Sequence, residues 1–568
     1  MTEMSGAECI VEALKREGVN TIFGVIGGAT MTIYDVLMDS DIKHILTRHE
    51  QGAAHMADGF ARASGKVGVC MATSGPGATN LVTGINTAYI DSSPIVAFTG
   101  QVNTPSTDSN SSYMIGRDAF QEADIIGITA PITKYNMQIM KTEEIPEVVK
   151  KAFYIASTHR PGPVLVDIPK NTQTNTAEVN FPEKVVIRGY NTHYKADPIQ
   201  LKRAVDLFVE AERPMVLAGG GIIISNASQE LTKLAELLMM PVATSLMGKG
   251  SIPENHPLSI GMVGMHGQEA NKLILEADVL LAIGIRFSDR TTGNLDEFCP
   301  DARIIHADID PAEINKNIHV DVPIVADAKE SLQALYSELT SRLHKRDKSV
   351  WSKRIKEARD LLGSYSPPEK RSINPQRIIS ELRRIVPYNT IVTTGVGQQQ
   401  MWAAQYFKTY LPRTFMSSGG LGTMGYGLPA AIGAKVAKPD VTVIDIDGDG
   451  SFRMTEQELA CSVMEEIPVI AVILNNRTLG MVAQWQRLFF NRRLTEVDLG
   501  YIPNFTKLAE AYGAKGVQVE SMKGFSDAVK RAMKSDVTTV IDVAISPEEN
   551  VFPMIPAGKG LKDTLWGL

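Results

Sequence analysis

A carboxylate and a carboxamide stand 27 residues apart near the C-terminal end of the chain, each closing an apolar run. Val441 to Phe452 reads VTVIDIDGDGSF, with Asp449 inside a Gly-Asp-Gly turn, and a later run, VILNN, ends at Asn476. Apolar run, turn, helical stretch and second apolar run predict two parallel strands. Asp449 and Asn476 then lie at the C-terminal ends of those strands, the edge at which α/β sheets bind ligands. Two hard oxygen donors beside glycines suit Mg²⁺ carrying a diphosphate, because Mg²⁺ takes few protein ligands and completes its octahedron with phosphate oxygens and water. Taken alone, the Gly-Asp-Gly turn also suits a strand that closes with no ligand. The second run, ending in paired asparagines, favours the metal.

Those strands need a scaffold, and 568 residues are too many for one core, so three or four domains are expected. The composition is that of a globular protein, 44% apolar and 21% charged. A net charge of −7 argues against a nucleic-acid surface. No apolar run is long enough to predict a membrane span. MTEMSGAECIVEALKREG at the N-terminus predicts an amphipathic helix and lacks the pattern of a signal peptide. Cys9, Cys70, Cys299 and Cys461 are scattered, with no zinc-like spacing, so a reducing, cytoplasmic setting is expected.

Two linkers are predicted, near 180–197 and in the charged stretch around 344–375. The outer thirds echo one another. MADGFARASGKVGVCMATSGPG from Met56 parallels MGYGLPAAIGAKVAKPDVTVIDIDGDG from Met424, and Pro94 and Pro468 then open the next apolar strands. Continuous apolar strands predict sheets covered by helices on both faces. The predicted fold class is therefore α/β, with three doubly wound parallel-sheet domains. Their expected limits are 1–180, 190–345 and 370–546, followed by a C-terminal tail, 547–568.

Gly-Asp-Gly followed by Asn-Asn at this distance resembles the motif of thiamine diphosphate-dependent enzymes. The resemblance implies that Asp449, Asn476 and the carbonyl of Thr478 ligate Mg²⁺. It makes the outer domains pyrimidine-binding (first) and diphosphate-binding (third). Such enzymes need a carboxyl group at the aminopyrimidine ring, and RHEQGAAHMADGFAR resembles the segment that supplies it, with Glu50 as activator. A buried carboxyl can pass protons in that role; the alternative is a surface glutamate at a helix start. Met424, in SSGGLGTMGYG, would be the apolar wedge that bends the cofactor, with the Gly422 carbonyl holding its amino group. Gly28, Gly397, Gln398, Gln399, Gly448, Gly450, Ser451, Gly480 and Met481 complete the implied cofactor contacts. Glu50 and Asp449 would meet across a subunit interface, so a homodimer or homotetramer is implied.

DAFQE, GIRFSDRTTGN and LGMVAQWQRLFF narrow the resemblance to the catalytic subunits of acetohydroxyacid synthase. This family decarboxylates pyruvate and ligates the two-carbon unit to a second 2-ketoacid, giving 2-acetolactate or 2-aceto-2-hydroxybutyrate on the route to branched-chain amino acids. Arginine's planar fork suits a ketoacid carboxylate, and Arg290 is the implied clamp. Trp485 would wall the acceptor's side chain, and Phe120, Gln121, Lys170 and Met265 would line the channel. The alternatives are an ion pair of Arg290 with Asp289 and a core role for Trp485. The middle domain would bind FAD in a structural role, through Arg160, Gly219, Gly220, Gly221, Ser245, Leu246, His266, Gly284, Arg286, Asp308, Ile309 and Asp327. His266 is expected to stack or pack. A small regulatory subunit is a possible partner by the same resemblance.

The sequence departs from the family at three places. NTPSTDSNSSY, from Asn103 to Tyr113, is longer and more polar than expected beside the substrate entry. Ile26 stands where proline is usual, and Gln399 where a histidine often contacts the diphosphate. An amide there donates a hydrogen bond but carries no charge. A pyruvate oxidase, or a carboligase acting on sulfoacetaldehyde, is the alternative enzyme reading. Glu50 counts against glyoxylate carboligase, which lacks that carboxylate. A non-catalytic homologue would not need Glu50, Asp449 and Asn476 together.

Overall fold

The computed structural model describes residues 2–104, 115–192, 195–342, 349–364 and 373–567. Most of the segment Asn103–Tyr113 lies outside the described residues. Three parallel six-stranded sheets carry the fold, and a small antiparallel pair joins Thr2–Ser5 to Thr176–Val179. The first sheet runs, in spatial order, Lys43–Leu46, Thr21–Val25, Gly68–Ala72, Ile95–Gln101, Val164–Pro169 and Tyr135–Gln138. The third runs Phe415–Ser417, Ile391–Thr394, Val443–Gly448, Ile470–Asn475, Thr539–Ala544 and Lys515–Val519. Numbered by chain order within each sheet, both read second, first, third, fourth, sixth, fifth. The echo between the outer thirds is therefore a shared topology. The middle sheet differs, running Ser259–Met262, Val242–Thr244, Pro214–Ala218, Val279–Ile283, Arg303–Asp308 and Val322–Val325.

Central strands such as Ile95–Gln101 and Val443–Gly448 are buried along their whole length, as helices on both faces require. In each sheet the chain order reverses beside the first strand, which opens a crevice at the strands' C-terminal ends. The N-terminal amphipathic stretch forms the helix Gly6–Arg16, started by a reciprocal Ser5–Glu8 capping box.

The outer domains pack on each other through the helices Glu50–Ser64 and Gly427–Ala437, and residues of both contribute to one hydrophobic core. Backbone meets backbone there. A Cβ on Gly59 would fall 2.2 Å from the Ala430 carbonyl oxygen, and one on Gly433 would fall 1.9 Å from that of Met56.

The charged stretch around 344–375 is not a plain linker. It contains the helix Ser349–Ser364, which buries Trp351, Ile355 and Ala358 against the middle domain. Trp351 donates its indole N–H to the Pro214 carbonyl at 3.1 Å. Its apolar stripe recurs every three or four residues and is diluted by the charges between. The segment after the last strand crosses back over the middle domain. Ile555 donates to the Met265 carbonyl at 2.9 Å, and Gly560 bridges to Gly293.

Candidate active site

One cavity of about 600 Å³ lies between the third and middle domains, at the crevices of both sheets. On the third-domain side it is lined by Gly397, Gln398 and Gln399 after the first strand, and by Gly448, Asp449, Gly450 and Ser451 after the third. Asn476 and Thr478 follow the fourth strand, and Gly480 and Met481 open the next helix. Gly422 and Met424 face the same space. The Asn476 backbone N–H donates to the Asp449 carboxylate at 3.4 Å, so the two residues predicted to hold the metal are neighbours. Burial pushes the Asp449 carboxyl up to about 6, the mark of a carboxylate short of compensating charge. A divalent cation would supply that charge. No cluster of three or more His, Cys, Asp or Glu able to hold a metal occurs among the described residues. That fits a hard-cation site of one carboxylate with neutral oxygens.

Ser451 is fixed as an acceptor, its hydroxyl receiving Val396 N–H at 3.2 Å and Gly425 N–H at 3.0 Å. This ties the Gly-Asp-Gly turn to the loop carrying Met424. Gln399 donates to Asp447 at 3.4 Å, and Asp447 sits buried behind the turn. Burial raises the Asp447 carboxyl, and burial beside Asp447 raises that of Asp445 well above its ordinary range.

Opposite, the middle domain lines the cavity with Gly220, Gly221, Ser245, Leu246, His266, Gly284, Arg286, Asp308, Ile309 and Asp327, and the first domain adds Arg160. Gly221, in the short helix Gly220–Ile224, and Gly284 follow the first and fourth strands, where the sheet order reverses. A Cβ on Gly221 would lie 2.6 Å from the Gly284 Cα, so only glycine allows this approach. Gly219 falls outside the cavity and packs against the Gly284 carbonyl. Burial, with Arg160 alongside, holds the Arg286 guanidinium below its ordinary value. A buried cation of this kind favours an anionic ligand. Burial raises Asp308 to about 6. Arg160 is engaged by Glu313 at 2.8 Å and Asp310 at 3.3 Å. These groups fit a dinucleotide with a diphosphate and ribose hydroxyls. His266 is buried, donates its Nδ1–H to the Pro553 carbonyl at 3.0 Å, and is pushed down to about 4 by burial, so it is neutral near pH 7.

Arg290, Met265 and Trp485 share the mouth of the cavity. The Arg290 guanidinium carbon lies 5.9 Å from the centre of the Trp485 ring. Asp289, 3.4 Å from Arg290, is largely exposed, so that ion pair is weak and screened. Arg290 is itself 58% exposed and free to meet a ligand.

Apart from Arg160, the predicted first-domain site residues form a separate group. Glu50 is only 9% exposed, which removes the surface-glutamate alternative. It begins the helix Glu50–Ser64 and accepts a hydrogen bond from Asn80 at 3.0 Å. Gly28 follows the first strand, and its neighbour Ala29 donates to Thr73 at 3.2 Å. Gln121 lies against Gly75, whose added Cβ would come within 2.8 Å of the Gln121 carbonyl. Phe120 is 84% exposed, and Lys170 begins the exposed start of the helix Lys170–Thr174. None of Gly28, Glu50, Phe120, Gln121 and Lys170 lines the cavity of Asp449 within this chain.

Three residues here carry no sequence signal. Glu458, from the third domain, is buried and accepts the Arg48 and His49 backbone N–H groups, capping the helix that starts at Glu50. Asp91 accepts Gly419 and Gly420 N–H groups and pairs with Arg62, holding the loop that leads to Met424. Gln484 reads as one more helical residue, yet it is fully buried behind Asn476.

Three domains of one family match the chain in order. Residues 4–128 match the thiamine pyrophosphate enzyme N-terminal TPP binding domain, 201–335 the central domain, and 395–543 the C-terminal TPP binding domain. A Methanocaldococcus jannaschii protein named "Probable acetolactate synthase large subunit" is 53% identical over 98% of this chain and 94% of its own length. The acetolactate synthase isozyme 3 large subunit of Escherichia coli is 44% identical over 100% and 99%. The acetolactate synthase of Mycobacterium bovis is 44% identical over 98% and 91%. With the crevices, the paired oxygen donors and the flanking arginine already in one cavity, this chain belongs to the acetolactate synthase large subunits, within the thiamine pyrophosphate enzymes.

Proposed function

We propose that this chain is the catalytic subunit of an acetohydroxyacid synthase, joining the two-carbon unit of pyruvate to a second 2-ketoacid in branched-chain amino acid biosynthesis. The observation that carries it is the Arg290–Trp485 pair at the mouth of the cavity that holds Asp449 and Asn476. Thiamine diphosphate, when bound, supplies the carbon that takes up the first ketoacid after its proton leaves. Asp449, Asn476 and the Thr478 carbonyl hold Mg²⁺, and through it the diphosphate. Glu50 holds a proton at the aminopyrimidine nitrogen. Arg290 grips the acceptor's carboxylate with two parallel N–H donors. Trp485 and Met265 exclude water and contact the acceptor's side chain.

FAD occupies the middle-domain wall, and the ligation, being redox-neutral, gives it a structural role. Two copies of the chain form the active unit, because Glu50 and Asp449 line no common cavity within one. The relatives named large subunits support a small regulatory partner. No helix among the described residues is long and apolar enough to cross a membrane, and a cytoplasmic location is part of the proposal.

The direct test is acetolactate formation from pyruvate with thiamine diphosphate, Mg²⁺ and FAD. Absence of product with all three present overturns the reading. Under anaerobic turnover the flavin should stay oxidised, and bleaching of its absorbance would point to a pyruvate oxidase.

Two variants probe the acceptor side. Trp485→Leu should relax acceptor choice more than it slows catalysis, since one methylene contact contributes about 1–3 kcal/mol of discrimination. Competition between pyruvate and 2-ketobutyrate gives the product ratio, and a ratio at the parent value would return Trp485 to the core. Arg290→Lys keeps the charge and loses the fork. It should raise the KM for either acceptor with the product ratio little changed, and an unaltered KM would remove Arg290 from the carboxylate site.

A further inference from the structure

Behind the metal-site asparagine lies a chain of buried side-chain amides whose polarity is fixed from one end. Val551, on the segment after the last strand, donates its N–H to Gln484 Oε1 at 2.8 Å and accepts from Gln484 Nε2 at 3.0 Å. A backbone N–H can only donate and a carbonyl can only accept, so this pair admits one orientation of the Gln484 amide. Gln484 Oε1 also receives Gln398 Nε2 at 2.9 Å, and the same nitrogen donates to the Glu549 carbonyl at 2.9 Å. Both protons of Gln398 Nε2 are thereby used, and its Oε1 must face the other way. There it accepts from Asn476 Nδ2 at 3.2 Å. The Asn476 oxygen is turned from Gln398, toward Thr478, whose N–H it accepts at 3.1 Å.

We propose that Gln398 and Gln484 are positioning residues that relay the hydrogen-bond polarity of Val551 to Asn476, so that its oxygen, and not its nitrogen, is presented to the metal. The proposal rests on the reading of Asn476 as a metal ligand. Flipping any one amide would set oxygen against oxygen and leave a buried N–H unmet, so the three move as a unit. Gln398 acts on the cofactor site through Asn476; its side-chain donors are already taken. The polarity of the relay thus originates at Val551, which contributes no ligand of its own.

Mn²⁺ binding to the full-length protein with thiamine diphosphate, read as free Mn²⁺ by electron paramagnetic resonance, tests this. Loss of an outer-shell partner of a metal ligand weakens binding by about 10–100-fold, and Gln398→Met and Gln484→Met should each fall in that range. The double variant should bind no more weakly than Gln398→Met, because both changes break one relay. Gln405→Met cuts a different tie of the same segment, to the Phe552 and His266 carbonyls, and should leave Mn²⁺ affinity near the parent value. Parent-like affinity in Gln484→Met, additive losses in the double variant, or equal losses in Gln405→Met each overturn the relay. Asp449→Ala in the same titration separates the two readings: if it binds Mn²⁺ normally, the metal site itself is misassigned.

Discussion

Asp449→Ala loses thiamine diphosphate and Mg²⁺ together. Asp449 is the one carboxylate among the three expected ligands, and burial already raises its proton affinity. Its removal leaves a neutral amide and a carbonyl, too little to hold a hard dication against water. The diphosphate, held largely through the metal, leaves with it. Outer-shell losses alone weaken metal binding by about 10–100-fold, and removing a direct charged ligand should exceed that range. Calorimetric titration with both ligands reads the effect. Near-normal affinity would make the Gly-Asp-Gly turn purely structural.

Glu50→Gln should nearly abolish turnover while cofactor binding persists. The amide keeps an oxygen for Asn80 and fits the same buried space, so the helix Glu50–Ser64 has no reason to shift. What it cannot do is hold a transferable proton. A positioned acid–base group contributes about 10²–10⁴-fold to rate, and the loss should lie in or above that range. Proton–deuterium exchange at C2 of the bound cofactor isolates the step. Parent-like exchange in the variant would end the role given to Glu50, whatever happens to overall rate.

Asp449 and Asn476 were legible because their signal is local: each closes an apolar strand, and parallel strands turn sequence spacing into proximity at one edge. Arg290 and Trp485 lie far apart in the chain and were joined only by family resemblance; periodicity alone places one on a loop and the other on a helix. Glu458 and Gln484 had no signal, since a polar residue on a helix reads as solvent-facing until its neighbours are known. The helix Ser349–Ser364 was hidden for the opposite reason, its charges masking a narrow apolar stripe. Strand order was beyond the sequence as well. The outer thirds announced their kinship, but their common order depends on crossovers that leave no mark on composition.

The contact of Gly59 with Ala430 and of Gly433 with Met56 reaches beyond geometry. Two helices in backbone contact, inside a core drawn from both outer domains, add a shared interior to the separate core that each domain also keeps. Opening one exposes the apolar face of the other, so the first and last thirds of the chain form a single cooperative unit, though the middle third separates them in sequence. The shared core of that unit must wait for the last third to be synthesised, while the middle domain, one of whose cores lies wholly within residues 201–339, can begin to form earlier.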